Sequence, residues 1–459
     1  MNVAARRTGN LVAFIPDHCA LRRGALRAVR QLARSSGADF VYGDSLHTTD
    51  DRYEEPFQVL RPGWSPERLL GHNYVGEVVF ASERVVSAAG GVELLCALGA
   101  HDRSLRLAEV ADKPAHIDFF LYVSPWTTSA PIADVRSVAE HCRRTGVDAD
   151  CAAAFDGRSV RVQRRVGDNP RIAVIIPTRG TRASVRGIER VLAAGAIASM
   201  RTNSTYPNLE FIAVLDRGTP ADAIREIERA GGDRLRCIDF DRPFNFAEKV
   251  NLAAVQTDAD YLLLLNDDTE IISPDIVETM LSHFADTGVG LVGPMMLYED
   301  GTIQSAGHLS NPVPMDYYRG FDADLPGASN MLCVAREVSS AIAACALTPR
   351  RVFEEIGGLS MTFPTDYNDV DYSFKLHEAG YRTIWTPHAR CFHFESKTRE
   401  AVMNPAYVAE LGARWLDYLE NDPYGHPALQ LYQHVWKANR PGQRSVDEAF
   451  GPTAPIASK

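Results

Sequence analysis

The chain has 459 residues, with 45% hydrophobic and 23% charged residues and a formal net charge of −11 at pH 7. This length allows two or three domains with substantial cores, and the composition is that of a globular protein. The acidic balance argues against a nucleic-acid partner bound through its phosphates.

Apolar runs and cysteines exclude two further classes. The longest apolar runs, 261–265 and 338–347, are far shorter than the roughly 20 residues that cross a bilayer, and the run at 11–15 is too short for a secretory signal. The eight cysteines contain no Cys-x-x-Cys pair, which argues against zinc and disulfide frameworks. The sequence therefore predicts a cytoplasmic protein without a transmembrane span.

From Arg171 onward, apolar segments alternate with helical patterns. Segments 172–176, 209–215, 235–240 and 261–265 are short and apolar, as buried strands are. Strands that alternate with helices imply right-handed crossovers and a parallel sheet. The predicted fold class is therefore α/β.

A polar triplet, Asn266-Asp267-Asp268, follows the last of these strands. Ligands in open α/β sheets bind beyond the carboxyl ends of the strands, where carboxylates suit a cation with a phosphorylated ligand. The alternative is a strand followed by a helix cap, because Thr269, Ser273 and Pro274 are also typical of turns and helix starts. The triplet alone does not decide between the two.

A second acidic group lies about one hundred residues further on. Segment 348–358 first predicts a short helix, with a capping threonine, a proline at the first helical position and glycine at the exit. Asn368-Asp369-Val370-Asp371 then opens an amphipathic helix that ends near Gly380. One aspartate in a first turn can be a capping interaction only. After a strand at 381–387, His393 lies between aromatic residues, where a buried structural histidine is the common alternative.

In this order the segments resemble the inverting family-two glycosyltransferases of GT-A fold, and among them the bacterial rhamnosyltransferase-like enzymes of polysaccharide and O-antigen assembly. The resemblance covers most of the chain and rests on segments 173–178, 215–219, 244–251, 266–268, 298–307, 368–387 and 393–396. It implies a Rossmann-like, mostly parallel catalytic domain over residues 166–400. It also implies transfer of a sugar from a nucleotide-diphosphate donor to a saccharide or lipid-linked glycan acceptor.

The resemblance also implies an organisation for the rest of the chain. Residues 1–165 look like a truncated, degenerate GT-A-like domain without catalytic function, and 401–459 like a helical extension with a tail that is disordered from Gly442 onward. In the first copy the acidic triplet is expected at Pro16-Asp17-His18, and the later acidic pair becomes His101-Asp102-Arg103-Ser104. Both depart from the family pattern. We therefore expect that Asp17, His18, Asp44 and Asp102 are structural, and that this domain packs on the catalytic one or binds acceptor.

Site roles follow from the same resemblance. Asp369 matches the catalytic base, and Asp371 is expected to support it by fixing a neighbouring side chain or an acceptor hydroxyl. Asp268 and His393 match the ligands of a Mn²⁺ or Mg²⁺ ion. The expected nucleotide-binding residues are Pro177, Thr178, Arg179, Asp216, Asn251, Asn266 and Asp267.

Three residues have two interpretations each. Asp216 either contacts the pyrimidine base or is a turn aspartate before glycine. Arg179 either reaches a phosphate or is solvated. His308 either approaches the acceptor or is structural. Lys249, on a predicted helix, is a weaker candidate for the donor site.

The resemblance implies a dTDP-, UDP- or GDP-linked sugar donor, with rhamnose as the leading sugar, and a glycan acceptor. It also implies peripheral association with the inner face of the membrane.

Two other functions are weighed against this one. A sugar-phosphate nucleotidyltransferase is also α/β and metal-dependent, but it needs a glycine-rich basic phosphate loop that the first strand lacks. A non-catalytic nucleotide-sugar-binding scaffold would fit the degenerate first half.

Overall fold

The computed structural model describes residues 2–48, 56–125, 133–167, 169–394 and 404–437. They form two compact units. The first unit comprises the described residues up to Arg164, together with Leu325–Arg336 and those from Asn421 onward, and the second comprises the described residues of 165–324 and 337–420. The division after Arg164 lies one residue from the expected boundary. The expected C-terminal domain is divided differently, because 404–420 groups with the second unit and 421–437 with the first.

The first unit is built on a seven-stranded sheet with strand order β1-β2-β6-β4-β7-β3 and β5 beside β4, and on a separate β8–β9 hairpin. Its buried residues include Phe14, Phe40, Tyr42 and Phe80. The strands are β1 Val3–Thr8, β2 Leu11–Pro16, β3 Ala20–Leu21, β4 Phe40–Thr48, β5 Phe57–Val59, β6 Val79–Ser82, β7 Pro114–Pro125, β8 Ala149–Ala154 and β9 Ser159–Arg164. The helices are α1 Ala25–Ser36, α2 Pro66–Gly71, α3 Glu83–Ala88, α4 Val92–Ala97, α5 Ala100–Ala108 and α6 Val135–Thr145, and a 3-10 turn covers Ala328–Asn330.

The second unit is built on a ten-stranded sheet with strand order β14-β13-β10-β15-β22-β17-β23-β16, β18 beside β17 and β21 beside β23. The strands are β10 Ile172–Thr178, β11 Arg182–Val185, β12 Ile188–Val191, β13 Leu209–Asp216, β14 Leu235–Phe240, β15 Tyr261–Leu265, β16 Thr269–Ile271, β17 Val289–Leu297, β18 Ile303–Ser305, β19 His308–Ser310, β20 Pro314–Asp316, β21 Arg336–Val338, β22 Cys345–Pro349 and β23 Arg382–His393. The helices are α7 Leu192–Asn203, α8 Ala221–Gly231, α9 Phe246–Ala254, α10 Ile276–Ser282, α11 Arg350–Glu355, α12 Asn368–Glu378 and α13 Pro405–Glu420, with 3-10 turns at Gly232–Arg234 and His283–Ala285.

The four predicted parallel strands of the second unit are confirmed. β10 pairs in parallel with β13 and β15, and β13 pairs in parallel with β14. All seven residues of β10 are buried, as a central parallel strand covered on both faces requires. Because parallel strands end at one edge, Thr178, Asp216 and Asn266 come to the same side of the sheet.

Three elements differ from the sequence predictions. A hairpin, β11–β12, precedes the expected helix, and its two-residue turn places Arg186 and Gly187 at positive φ. Thr348, predicted to cap a helix, instead lies in β22, where its buried hydroxyl contacts Gly290 and Tyr372. β23 runs on through residue 393, well past the predicted strand end. The predicted disordered tail from Gly442, and motif residues 395 and 396, lie outside the described residues.

The two sheets share a path of five strands. In the first unit, β2-β6-β4-β7-β3 pair in the senses antiparallel, antiparallel, parallel and antiparallel. In the second unit, β15-β22-β17-β23-β16 pair in the same order and the same senses. Beyond this path, β2 pairs with antiparallel β1 where β15 pairs with parallel β10. No helix among the described residues is long and apolar enough to span a bilayer.

Candidate active site

Asp268 and His393 meet at the edge where β15 ends. Asp268 is buried, and its Oδ1 lies 3.1 Å from His393 Nε2. Asn266 places its Nδ2 3.2 Å from the same nitrogen. The antiparallel pairing of β16 with β23 brings these residues together, because it sets Thr269, the residue after Asp268, opposite His393. The structure therefore unites two predicted metal ligands that are 125 residues apart in the sequence.

Gln304 determines which nitrogen of His393 carries the proton. The Gln304 amide donates from Nε2 to the carbonyl oxygen of His393 at 3.3 Å, so its Oε1 faces Nδ1 at 2.7 Å. An amide oxygen can only accept, so Nδ1 donates and the neutral ring keeps a lone pair on Nε2. Metal-binding histidines are held in the same way by a partner on their other nitrogen. A lone pair and a carboxylate oxygen thus face each other, which is a donor set that fits a divalent cation.

A second group of polar side chains lies at the ends of β10 and β13. The buried Lys249 ammonium donates to the carbonyl oxygen of Thr178 at 2.9 Å and pairs with Asp216 Oδ1 at 3.0 Å. The Thr178 hydroxyl donates to Asp267 Oδ2 at 2.6 Å. The structure therefore brings Thr178, Asp216 and Asp267 into one hydrogen-bonded chain with Lys249.

Charge in this group is strongly coupled. Burial, followed by the charge of Asp268, raises the pKa of Asp267 to about 7. Burial lowers the pKa of the Lys249 ammonium, although Asp216 and Asp267 act in the opposite direction. Burial and the neighbouring charge of Asp268 thus oppose the ionisation of Asp267, and a cation bound at this edge would relieve that cost.

Asp369 lies in the first turn of α12 and is linked to the same edge through Ala343 and Ala344. Its Oδ2 accepts from the Ala343 amide at 3.2 Å, and its Oδ1 accepts from Val370 at 2.9 Å. The next residue, Ala344, accepts at its carbonyl oxygen from the Asn266 amide at 2.9 Å. Burial raises the pKa of Asp369, and nearby His308 acts against this rise. A carboxylate with a raised pKa suits a general base.

His308 lies between two partners. Its Nδ1 is 2.7 Å from the Ser340 hydroxyl, and its Nε2 is 3.2 Å from Asp316 Oδ1. Burial lowers the pKa of His308, but the charges of Asp316 and Asp369 outweigh it, so the net shift is upward. The pKa of Asp316 is lowered, because His308 outweighs its burial. The contacts with Ser340 and Asp316 support the structural interpretation of His308. The charge of His308 also reduces the rise that burial causes in the pKa of Asp369.

Asp371 and Asn251 are engaged in packing contacts. Asp371 is fully buried and accepts from Trp415 Nε1 at 2.9 Å and from Arg414 at 3.3 Å, both on α13. Asn251 exchanges two hydrogen bonds with the backbone of Leu359, at 2.8 and 2.9 Å. Asp371 thus anchors α13, and Asn251 anchors the segment that precedes α12.

Pro177 and Arg179 flank Thr178. Pro177 is a buried residue of β10, and the Arg179 guanidinium lies 6.0 Å from the ring centre of Phe244. Phe244 is partly exposed and is also 5.3 Å from the Lys249 ammonium. Sequence reasoning did not identify Phe244 or Gln304, although both lie in segments that carried the resemblance.

The sheet of the second unit is mixed: β14-β13-β10-β15 are parallel neighbours, whereas β15-β22, β22-β17 and β23-β16 are antiparallel. The edge where its parallel strands end carries a carboxylate, an imidazole and a lysine. A model of the family described as glycosyltransferase like family 2 matches residues 170–417. The chain belongs to this family, and its GT-A fold class is as the sequence predicted.

Two curated relatives match over most of the chain. The O-antigen biosynthesis protein RfbC of Myxococcus xanthus is 27% identical over 395 residues, which is 81% of this chain and 30% of that protein. The uncharacterized protein y4gI of Sinorhizobium fredii (strain NBRC 101917 / NGR234) is 28% identical over 410 residues, 83% of this chain and 44% of that protein. The chain thus spans less than half the length of either relative.

Solved structures show more distant likeness. GalNAc-T7 with UDP, GalNAc and Mn²⁺ has a TM-score of 0.43 and 12% identity, over 57% of this chain and 51% of that one. The mannosyltransferase PcManGT of Pyrobaculum calidifontis, in complex with GDP-Man and Mn²⁺, has a TM-score of 0.37 and 16% identity, over 61% of this chain and 75% of that one.

Proposed function

We propose that the second unit is a metal-dependent, inverting glycosyltransferase that moves a sugar from a nucleotide-diphosphate donor to a saccharide or lipid-linked glycan acceptor. The observation that carries the proposal is the 3.1 Å approach of Asp268 Oδ1 to His393 Nε2 at the end of β15. The bacterial relative named for O-antigen biosynthesis supports a polysaccharide product. The donor that we put first is dTDP-rhamnose, and the site of action is the inner face of the cell membrane.

The donor binds, in this proposal, along the edge formed by β10, β13 and β15. Asp268 and His393 hold Mn²⁺ or Mg²⁺, which supplies Lewis-acid stabilisation of the departing diphosphate. In this proposal Asn266, whose amide lies in the same cluster, bonds a ribose hydroxyl. Lys249 holds Asp216 directly and Asp267 through Thr178, and these two acidic side chains face the nucleotide.

Asp369 is the proposed general base. Its carboxylate takes the proton of the acceptor hydroxyl while the hydroxyl oxygen attacks the anomeric carbon and the bond to the nucleoside diphosphate breaks. Attack from the face opposite the leaving group gives inversion in a single step. Its amide contacts with Ala343 and Val370 fix the carboxylate direction, so that the acceptor meets an oriented base.

The first unit is proposed to be a degenerate GT-A-like copy that does not bind donor. The support is its five-strand path, which has the pairing order of the catalytic unit, together with the antiparallel β1 in the place of β10. His101 and Asp102, at the position of the later acidic pair, are bonded to Leu69 and to Arg106. Both side chains are thus engaged by partners within the first unit, and Asp102 also lies 3.4 Å from Arg144.

A donor panel tests the proposal directly. The full chain is incubated with dTDP-rhamnose and with UDP- and GDP-hexoses, in the presence of Mn²⁺, Mg²⁺ or excess chelator, and nucleoside diphosphate release is measured with and without saccharide acceptors. We expect release from one donor class, at least about a hundredfold slower in chelator. Release of pyrophosphate instead would identify a nucleotidyltransferase, and binding without turnover for any acceptor would identify a scaffold.

His308 provides a pH prediction. Asp369 is active when deprotonated, so turnover rises with pH through its pKa. A cationic His308 opposes the upward shift of that pKa. In His308→Gln the cation is lost, the pKa of Asp369 rises, and the acid limb of the turnover profile moves to higher pH. Asp316→Asn should move it the same way, because it removes the partner that keeps His308 charged. A loss of activity with an unchanged acid limb would reduce His308 to a structural role.

A further inference from the structure

The first unit carries a second cluster of metal-competent side chains at the end of β2. His18 Nε2 lies 2.9 Å from Glu77 Oε2, and the Cys19 thiol lies 3.6 Å from the same oxygen. The three ligand atoms lie within 4.8 Å of one another. Glu77 is 58 residues from Cys19 in the chain, so the fold, and not local sequence, assembles the group.

In the first unit this cluster lies at the same topological position as Asp268 and His393 in the second unit. Three residues, Asp17-His18-Cys19, join β2 to β3, and three residues, Asn266-Asp267-Asp268, join β15 to β16. Cys19 therefore stands where Asp268 stands, one residue before the short strand that closes the sheet. This alignment corrects the expected triplet, Pro16-Asp17-His18, by one residue, because Pro16 is the last residue of β2.

The ligand types have changed between the two edges. Val123, opposite Ala20, takes the place of His393, which lies opposite Thr269, so the first unit lacks that imidazole. Glu77 precedes β6 by two residues, as Ala343 precedes β22, and supplies a carboxylate where the catalytic unit has an alanine. The first unit therefore offers the Glu77 carboxylate and the His18 imidazole as candidate ligands, whereas the second unit offers the His393 imidazole.

We propose that His18, Cys19 and Glu77 bind a zinc ion in the first unit. Imidazole nitrogen, thiolate sulfur and carboxylate oxygen are the ligands of Zn²⁺, and three protein ligands leave a fourth position for water. The soft thiolate disfavours Mg²⁺ and Mn²⁺, which prefer oxygen. The site therefore differs in metal preference from the edge at Asp268 and His393.

The charges around the site are consistent with a divalent cation. When Zn²⁺ binds, the S–H bond breaks, the sulfur–zinc bond forms and the proton leaves to solvent. Thiolate and carboxylate together balance the charge of the ion. Arg61, the nearby cation, is engaged by Gly43, Ser45 and Tyr122.

Cobalt titration of the full, metal-free chain tests this site, because Co²⁺ replaces Zn²⁺ and gives a near-ultraviolet charge-transfer band only with a thiolate ligand. We expect the band in the parent chain, its displacement by Zn²⁺ and its loss in Cys19→Ser. Cys237→Ser, which removes an exposed thiol, should retain it. His18→Gln and Glu77→Gln should bind Co²⁺ at least about tenfold more weakly.

Two results would overturn the proposal: no band in the parent chain, or a band that survives Cys19→Ser. If Cys19→Ser does not fold, unchanged Co²⁺ affinity in both His18→Gln and Glu77→Gln would overturn it equally. The result is independent of the proposed transferase activity, since Asp268→Asn should leave the thiolate band intact. Absence of glycosyl transfer would likewise not contradict the proposed zinc site.

Discussion

Asp369→Asn is expected to lower turnover at least about a hundredfold while donor and metal still bind, because an amide cannot take the acceptor proton. The amide oxygen can still accept from one of the two backbone amides, Ala343 or Val370, and the substitution keeps the size of the side chain, so α12 should still form. The loss should appear in kcat with little change in donor affinity, measured by initial rates and by calorimetric titration of the donor.

Glu378→Gln is the matched control for this variant. Glu378 lies on the last turn of the same helix and is exposed, so the change removes the same charge from α12 without touching the site. It should turn over at the parental rate. Near-parental kcat in Asp369→Asn, with donor bound, would show that another group accepts the proton.

Asp268→Asn and His393→Gln are expected to lower turnover at saturating Mn²⁺ by at least about a hundredfold, because each removes a ligand from the group that stabilises the departing diphosphate. Each should also raise the Mn²⁺ concentration needed for half-maximal rate. Because protonation of His393 competes with the metal, the parental Mn²⁺ affinity should weaken as the pH falls. Rates measured across a Mn²⁺ series give both quantities.

Asp258→Asn is the control at the other end of the same strand. Asp258 precedes β15, its side chain is 86% exposed, and it pairs with Arg171. It should show the parental Mn²⁺ dependence. If Asp268→Asn or His393→Gln kept that dependence too, the metal would have to bind elsewhere.

The order of apolar and polar residues along the chain was enough to predict the parallel strands β10, β13, β14 and β15. The 235–240 and 261–265 segments match β14 and β15 residue for residue, because a buried strand needs a short apolar run with clear ends. The helix at Asn368 was likewise marked by its acidic first turn and its exit at Gly380. These features depend on neighbours in the chain, so the sequence contains them directly.

The parts that could not be predicted depend on contacts across the fold. Thr348 has the composition of a helix cap, but its hydroxyl is taken by Gly290, 58 residues away, and by Tyr372. Gln304 determines the proton position on His393 from 89 residues away. His18 and Glu77 meet over a comparable separation. No periodicity or motif spacing reports such pairings.

The proposed metal site is tested most directly by the position of Mn²⁺ in crystals grown with nucleoside diphosphate, located by its anomalous scattering. We expect one peak bonded to Asp268 Oδ1 and His393 Nε2, with the diphosphate on its open side. A bound nucleotide with Mn²⁺ away from both side chains, or with no Mn²⁺ at all, would contradict it.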